Sequence, residues 1–244
     1  MVNPDKFQCI VFGRNENLGS FRIGEHDLFP ENIVKILGLH LDCNLNFDTH
    51  ISKLCQKAGN QINVLARLCN VLDEPSKMLL YNSFVECYFN YCSVVWHFCS
   101  KYNTYKIEKL QEKALRFIKM DFNSSYRILL NNCNKHPLYV VRIRKFMETI
   151  YKISHGKYPI YLNALIKPKN VQINLRSVNN MCIPQYKTIK YGKNSFKYSA
   201  PFYWNKLPNV VKNAHNFNHF KTLLHDWVPS CLCGSCLQCN IFNR

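Results

Sequence analysis

The last residues of the chain hold a group of cysteines at the spacing of a metal site. Cys231, Cys233, Cys236 and Cys239 follow the pattern C-x-C-x2-C-x2-C. Four thiolates at short spacing suit a tetrahedral zinc ion, although structural zinc sites usually join two C-x2-C pairs across a longer loop. On the sequence alone, a zinc site and a reduced tail without metal therefore stay open as alternatives.

Three histidines precede these cysteines. His215 and His219 are four residues apart and are predicted to share one face of a helix over residues 213–227, which also contains His225. One or two of these imidazoles could complete a zinc site with the cysteines, because imidazole nitrogen is a common zinc ligand. The alternative is that all three are ordinary surface histidines.

Carboxylates for metal-ion catalysis are scarce. A polymerase or nuclease that uses two metal ions needs at least two carboxylates that converge on them. Asp73 and Glu74 form the only adjacent acidic pair, and their place before Pro75 predicts a helix N-cap and a first-turn acid. Asp42 ends a predicted strand and is interpreted as a turn residue. The sequence also lacks a Gly-rich phosphate loop and a nucleophile signature, so we expect no catalytic residue in this chain.

Positive charge is concentrated in the second half of the chain. The chain has 32 Lys and Arg against 15 Asp and Glu, and residues 122–244 hold 18 of the basic residues but only two acids, Glu148 and Asp226. Because cations release counterions from a phosphate backbone whatever its base sequence, RNA or DNA is the expected partner. Several of these basic residues alternate with aromatic ones, which can stack on bases. The predicted contact residues are Arg142, Arg144, Lys145, Lys187, Lys190, Lys193, Lys197 and Lys206.

The rest of the composition indicates a folded protein of one or two domains. No apolar run approaches the roughly 20 residues that span a bilayer, and we recognise neither a signal peptide nor an interfacial helix, so no membrane partner is expected. The other nine cysteines lie scattered among apolar residues. They are predicted to be reduced core residues of a protein of the cytosol or nucleus, without a disulfide-linked partner.

The chain begins with a region of β pattern and continues with helices. Glycine-punctuated segments predict short antiparallel strands over residues 5–43, including a strand-like run from Phe7 to Phe12 and a turn at HDLFPE. A helical apolar period then runs from Asp48, the predicted N-cap, to Cys69. A second helix is predicted from Asp73 to Trp96, and it is apolar nearly all round, which favours a central position.

Further helices are predicted over residues 104–119, 124–132, 137–154, 159–166 and 213–227, whereas residues 168–208 suit irregular strands and loops. The expected fold class is α+β, mainly α. It combines short N-terminal antiparallel strands with a helical bundle and a basic, irregular C-terminal region.

Several segments occur in an order that is known from one family. They are VNPDKFQCIVFG, VKILGLHLDCNLNFDTHISKLCQKAGNQINVLARL, YNSFVECYFNYCSVVWHF and KIEKLQEKALRFI, followed by Leu175-Arg176, Gly192 with Ser195-Phe196, Ala200-Pro201, Trp204-Asn205 with Leu207-Pro208, FKTLLHDW and CLCGSC. Together they resemble the C-terminal part of reverse transcriptases from non-LTR (LINE-type) retrotransposons. The resemblance covers nearly the whole chain.

The resemblance implies an RNA-directed DNA polymerase as the parent enzyme, with Mg²⁺ as a cofactor of the full-length protein only. It further implies that Met1 is an interior methionine and that the fingers, most of the palm and the metal-binding aspartates lie upstream. By this likeness, residues 1–45 are palm-edge and primer-grip-like strands, 46–121 are thumb-like helices, 122–228 form a basic C-terminal region that holds RNA or DNA, and 229–244 are a Cys-rich tail.

The expected function is that of a truncated, catalytically incomplete fragment of such a reverse transcriptase, which retains non-specific RNA and DNA binding. Two alternatives remain. One is a free-standing adaptor that binds nucleic acid with the help of zinc in the cysteine tail. The other is a protein-interaction module that uses the apolar helix from Asp73 to Trp96.

Overall fold

The fold is that of a computed structural model, which describes residues 7–13, 19–169 and 179–227. Within these residues the protein is mainly helical, with two short antiparallel strand pairs ahead of the helices. This confirms the predicted α+β, mainly α class. The described ranges contain no helix that is both long enough and apolar enough to cross a membrane.

The chain divides into two compact units. The first is drawn from residues 1–92 and 99–129, and the second from residues 93–98 and 130–244. The border predicted at 45/46 runs within the first unit, and the one predicted at 121/122 falls eight residues before the first unit ends at Leu129.

The strands of the first unit form two separate hairpins. They are β1 (Phe21–Ile23) with β2 (His26–Leu28), and β3 (Ile33–Ile36) with β4 (Leu39–Asp42). Two expectations were wrong here. His26–Leu28, predicted as part of a turn, is β2, and the run from Phe7 to Phe12 makes only an isolated bridge, from Cys9 to Pro30.

The helices of the first unit pack around one long helix. They are α1 (Asp48–Leu68), α2 (Glu74–Leu80), a π-helical turn (Tyr81–Val85), α3 (Glu86–Asn90), α4 (Lys101–Lys119) and the start of α5 (Tyr126–Asn132). Helix α1 contacts β4, α3 and α4. Its apolar residues Ile51, Ala58 and Ile62 are fully buried, as their helical spacing predicts.

The predicted N-cap of α1 was wrong. The N-cap position is Phe47, in the left-handed conformation with φ 60°, and it offers no side-chain cap. Two polar side chains explain the difference. The Asp42 carboxylate accepts the N–H of Phe47 at 2.6 Å, and Asp48 instead accepts a hydrogen bond from Asn103 Nδ2 at 2.6 Å.

The helix predicted from Asp73 to Trp96 is confirmed at its start and wrong at its end. Asp73 caps α2 by accepting the N–H of Ser76, and Pro75 lies in the first turn. The helical segments then end at Asn90, and Cys92 takes the left-handed conformation with φ 48°. Residues 93–98 belong to the second unit, in which Trp96 lies against the Arg142 guanidinium and Phe98 against Phe146.

The second unit has helix α6 (Leu138–Ser154) at its centre. Helix α6 packs against a 3-10 helix (Ile160–Leu165), α7 (Phe196–Asn205) and α9 (Phe217–Asp226). A π-helical turn (Ile189–Lys193) contacts α7. The short helix α8 (Asn209–Lys212) contacts α9. The core of this unit combines Phe146 and Ile150 of α6 with Trp204 and Phe220. Helix α7 is a correction, since residues 168–208 were expected to be irregular strands and loops.

Candidate nucleic-acid interface

The eight predicted contact residues all belong to the second unit, but they differ in exposure. Lys187, Lys190, Lys193, Lys197 and Lys206 are exposed, and Lys145 is half-buried. Arg142 and Arg144 are buried. The structure therefore brings five of the eight to a surface within one stretch of chain, residues 187–206.

The two arginines have contacts inside the unit, so their selection as phosphate contacts was wrong. Arg142 is 1% exposed, and its guanidinium lies 4.9 Å from the ring centroid of Trp96. Arg144 donates Nη2 hydrogen bonds to the carbonyl oxygens of His225 and Trp227, at the end of α9. Its burial lowers the pKa of the guanidinium, although that group stays charged at any ordinary pH.

A continuous row of aromatic rings lies within the same stretch of chain as the exposed lysines. Tyr186 meets Tyr198 edge to face at 4.7 Å between centroids, and Tyr198 stacks on Phe202 at 5.8 Å. The row ends where Lys206 Nζ lies 4.5 Å above the Phe202 ring. We call this the basic aromatic surface, and it consists of Tyr186, Lys187, Lys190, Tyr191, Lys193, Lys197, Tyr198, Phe202 and Lys206.

Helical spacing explains the row on α7. Tyr198, Phe202 and Lys206 follow one another at intervals of four residues, so they lie on one side of α7 and its C-cap. The first turn of α7 is fixed by Ser195, whose Oγ accepts the N–H of Tyr198 at 3.4 Å and donates to the carbonyl oxygen of Gly192 at 2.6 Å.

Gly192 allows the π-helical turn to approach Tyr186. A Cβ added at Gly192 would lie 2.8 Å from the Cβ of Tyr186, closer than two such carbons approach in folded proteins. The absence of a side chain here therefore lets the turn with Lys190 and Lys193 pack against the aromatic row. The Gly-x-x-Ser-Phe pattern thus has a structural explanation, since Phe196 completes it by packing on Phe146 at 5.2 Å.

The Trp204-Asn205 pair holds a second piece of chain against α7. Trp204 Nε1 donates to the carbonyl oxygen of Asn179 at 2.9 Å. The Asn205 side chain accepts the N–H of Met181 at 2.8 Å and donates to its carbonyl oxygen at 2.9 Å. These three bonds act as one strand-like pairing made by side chains, and they fix residues 179–181.

The electrostatic field around the basic aromatic surface is strongly positive. The described residues of the second unit contain fifteen Lys and Arg and two acids, Glu148 and Asp226. With so few carboxylates, most of these cations have no internal counter-charge. Such a field concentrates polyanions near the surface.

The carboxylates of the first unit that were candidates for chemistry organise its backbone. Asp42 accepts the N–H groups of Asn44, Asn46 and Phe47, so it is the turn residue that was predicted. Asp73 caps α2 as described above, and Glu74 pairs with Lys119.

The proposed metal ligands are only partly described. Cys231, Cys233, Cys236 and Cys239 all lie outside the described residues, so zinc binding there stays a prediction. The rings of His215 and His219 do approach each other, at 4.2 Å between centroids, although α9 begins at Phe217 and His215 precedes it. Within the described ranges, no group of three or more metal-ligand side chains comes together.

A buried histidine in the second unit was missed by the sequence analysis. His97 stacks near Tyr139 and Phe146, at centroid distances of 5.6 and 5.7 Å, and meets Phe98 edge to face at 4.8 Å. Burial, helped by the nearby Arg142 charge, lowers the pKa of His97 to about 3. No sequence signal singled it out, because it follows an apolar run that was assigned to a helix.

Comparison with known proteins adds one relative. The chain is 25% identical over 192 residues to the uncharacterized protein B0403.1 of Caenorhabditis elegans. The aligned region covers 76% of this chain and 92% of that protein. No protein-family model matches the chain. No solved structure matches it either. The similarity thus extends over most of both chains, and the name of the relative assigns no activity.

Proposed function

We propose that this chain binds RNA or DNA without sequence preference through the basic aromatic surface, as the C-terminal part of a LINE-type reverse transcriptase would. The observation that carries the proposal is that five exposed lysines lie within residues 187–206, the stretch that also carries a row of aromatic rings, in a unit whose described residues include only two acids. The likeness to the LINE-type family supports the same role, because Gly192 and Ser195, two of the residues that carry it, position the turn and the first turn of α7 on which this surface lies.

The lysines and the rings have different tasks in this proposal. Lys187, Lys190 and Lys193 are exposed, and ammonium groups at the surface can follow a phosphate backbone without reading its bases. Tyr186 and Tyr191 are also exposed, and every base has a flat face that stacks on such a ring. Single-stranded nucleic acid should therefore bind more tightly than a duplex, whose bases are already stacked.

We propose no polymerisation chemistry for this chain by itself. We expect no primer extension when the purified chain is mixed with Mg²⁺, template, primer and nucleotides. Extension by a preparation free of other polymerases would contradict this part of the proposal.

The binding proposal is tested with a charge-removal variant and a matched control. Lys187, Lys190, Lys193 and Lys197 are changed together to Gln, and binding of a fluorescent single-stranded RNA is measured over a range of salt concentrations. The control variant changes Lys35, Lys53, Lys57 and Lys113 of the first unit to Gln, which removes the same charge from another exposed set.

The salt dependence distinguishes local contacts from net charge. Each lost phosphate contact should lower the slope of log K against log salt by about 0.7 for a single strand. We expect the first variant to lose two to four phosphate contacts, which lowers the magnitude of its slope by about 1.4 to 2.8. The control variant should keep the wild-type slope. Equal slopes for the two variants would refute the assignment of this surface.

A second candidate function is the protein-interaction module. Leu79 is 66% exposed and Phe84 is 55% exposed, on α2 and the π-helical turn that follows it. Large apolar side chains so exposed on neighbouring turns favour a contact with another protein. Sedimentation velocity of the wild type and a Leu79→Gln, Phe84→Gln variant tests this candidate. It predicts self-association that is insensitive to salt and absent in the variant.

A further inference from the structure

The second unit contains a cavity that the basic aromatic surface does not use. Its volume is about 490 Å³, and its walls come from the end of α6, the 3-10 helix, residues 179–181, α7 and α8. This volume lies within the range of small-molecule sites, about 300–1,000 Å³.

One wall of the cavity is fixed by hydrogen bonds from α7 and by an isolated β-bridge. The contacts that Trp204 and Asn205 make with residues 179–181 hold one wall. An isolated bridge between Pro168 and Met181 joins the same wall to the chain after the 3-10 helix. The cavity is therefore a pre-formed site, which costs a ligand little ordering of the protein on binding.

One side of the cavity presents a buried cation. Lys212 is 6% exposed, and its Nζ donates to Asn180 Oδ1 at 2.9 Å and to the carbonyl oxygen of Asn205 at 3.0 Å. Both acceptors are neutral, and among the described residues no Asp or Glu lines the cavity or forms a salt bridge with Lys212. Burial lowers the pKa of this ammonium group, so an anion beside it would relieve an unfavourable desolvation.

Amides and aromatic rings complete the lining. Asn163 and Asn179 also line the cavity, and amide N–H groups bind phosphate oxygens well. One N–H of the Asn179 amide donates to Asn213 Oδ1 at 2.6 Å, which leaves the other for a ligand. The ring of His155 stacks on Tyr151 at 3.8 Å and lines the cavity. Trp204 stacks on Phe220 on one face, at 5.9 Å, and is a further wall residue. The site thus combines a phosphate-type anchor with flat, partly apolar walls.

We propose that this cavity binds one nucleotide unit, with its phosphate against Lys212 and the asparagine amides and its base between the His155 and Trp204 walls. The proposal rests on the proposed nucleic-acid binding of the chain and deepens it. The nucleotide unit has two sources, a free mononucleotide or the end of a single strand, and the experiment separates them.

The test is a calorimetric titration of the full chain with AMP, with inorganic phosphate and with a short single-stranded RNA that ends in a 5′-phosphate or a 5′-hydroxyl. Lys212→Met removes the charge while keeping most of the length of the side chain. Lys221→Met on α9 is the matched control, because it is an exposed lysine of the same unit. His155→Ala is a second test variant at an exposed position, which keeps the proposal testable if Lys212→Met fails to fold.

We expect the wild type to bind one AMP per chain. Lys212→Met should lose at least about tenfold in affinity for AMP, because a charge-assisted hydrogen bond is removed. His155→Ala should also bind AMP clearly more weakly, whereas Lys221→Met should bind it as the wild type does. Competition of AMP by the 5′-phosphorylated strand but not by the 5′-hydroxyl strand identifies a strand end as the source. No competition by either strand identifies a free nucleotide.

Any of three results would overturn the proposal. They are the absence of AMP binding by the wild type, equal AMP binding by all variants, and binding of inorganic phosphate as tight as that of AMP. If AMP fails to bind while RNA binding keeps its dependence on Lys187 to Lys197, the cavity proposal fails and the proposed function stands. If AMP binds at the cavity and RNA does not bind, the proposed function fails and the cavity is a site for free nucleotides.

Discussion

The buried imidazole of His97 makes the stability of the second unit depend on pH. His97 is 4% exposed among aromatic rings, and burial lowers its pKa from 6.5 to about 3 in the folded protein. In the unfolded chain the pKa returns to its ordinary value. Between these two values the unfolded state binds a proton that the folded state does not accept.

The sign and size of the effect follow directly. Stability from this group is fully present above pH 6.5 and is lost as the pH falls from 6.5 towards 3, because protons favour the unfolded state in that window. Between about pH 7 and about pH 5, the free energy of unfolding should fall by about 2 kcal/mol through His97.

The assay is urea unfolding, followed by circular dichroism, of the wild type and of His97→Phe at several pH values across this window. Phenylalanine keeps an aromatic ring at the site and cannot take a proton, so the variant should lose about 2 kcal/mol less stability than the wild type between pH 7 and pH 5. His215→Phe, at an exposed position of the same unit, should follow the wild type. Parallel curves for wild type and His97→Phe would refute the reasoning.

Three further variants test the described contacts. Gly192→Ala should lower the free energy of unfolding by about 1–3 kcal/mol, since the new Cβ overlaps Tyr186; unchanged urea midpoints would show that the turn shifts freely. Arg142→Lys should lower thermal stability, because a point charge replaces a planar group over Trp96, yet leave the salt slope of RNA binding unchanged; a lower slope would mean that Arg142 contacts phosphate. Tyr126→Phe removes a hydroxyl that donates to the buried Glu108 side chain at 2.6 Å, so it should cost about 1–3 kcal/mol in urea unfolding; an unchanged free energy of unfolding would contradict this contribution of the hydroxyl.

Local periodicity predicted the regular helices well. Helices α1 and α4 each have one apolar stripe and a polar remainder, so 3.6-residue spacing alone locates them. The helix after Asp73 shows where this reasoning stops. Ser93, Trp96 and His97 are buried like the helical residues before them, but they belong to the other unit. An apolar sequence pattern predicts that a residue is buried, but it does not predict in which of the two cores the residue lies.

The basic aromatic surface was predictable in part. Its lysines and tyrosines were recognised from their alternation, whereas α7 was missed, because Pro201 and five aromatic residues made the segment look irregular. Ser195 gives a usable signal, since it is a good N-cap immediately ahead of α7. The close approach of Gly192 to Tyr186 is a tertiary contact. The glycine itself was its only sign in the local sequence.

The two buried arginines illustrate why charge alone did not identify contact residues. Arg142 is four residues from both Leu138 and Phe146, so helical spacing already places it on the buried side of α6. Arg142 was predicted to contact phosphate because its charge was considered without its position on the helix. The same error applies to Arg144, which serves the end of α9 instead.

Burial also changes what the positive charge of the second unit can do. Arg142 and Arg144 add to the long-range field, which speeds the encounter with a polyanion, but as buried groups they displace no counterions from an RNA backbone at the surface. Association rate and salt slope should therefore respond differently to sequence changes in this unit. Neutralising an exposed lysine such as Lys193 should lower both, whereas neutralising the interior Arg142 should slow association slightly and leave the slope for long RNA intact. The net charge counts all these cations, but the salt slope counts only those that can touch phosphate.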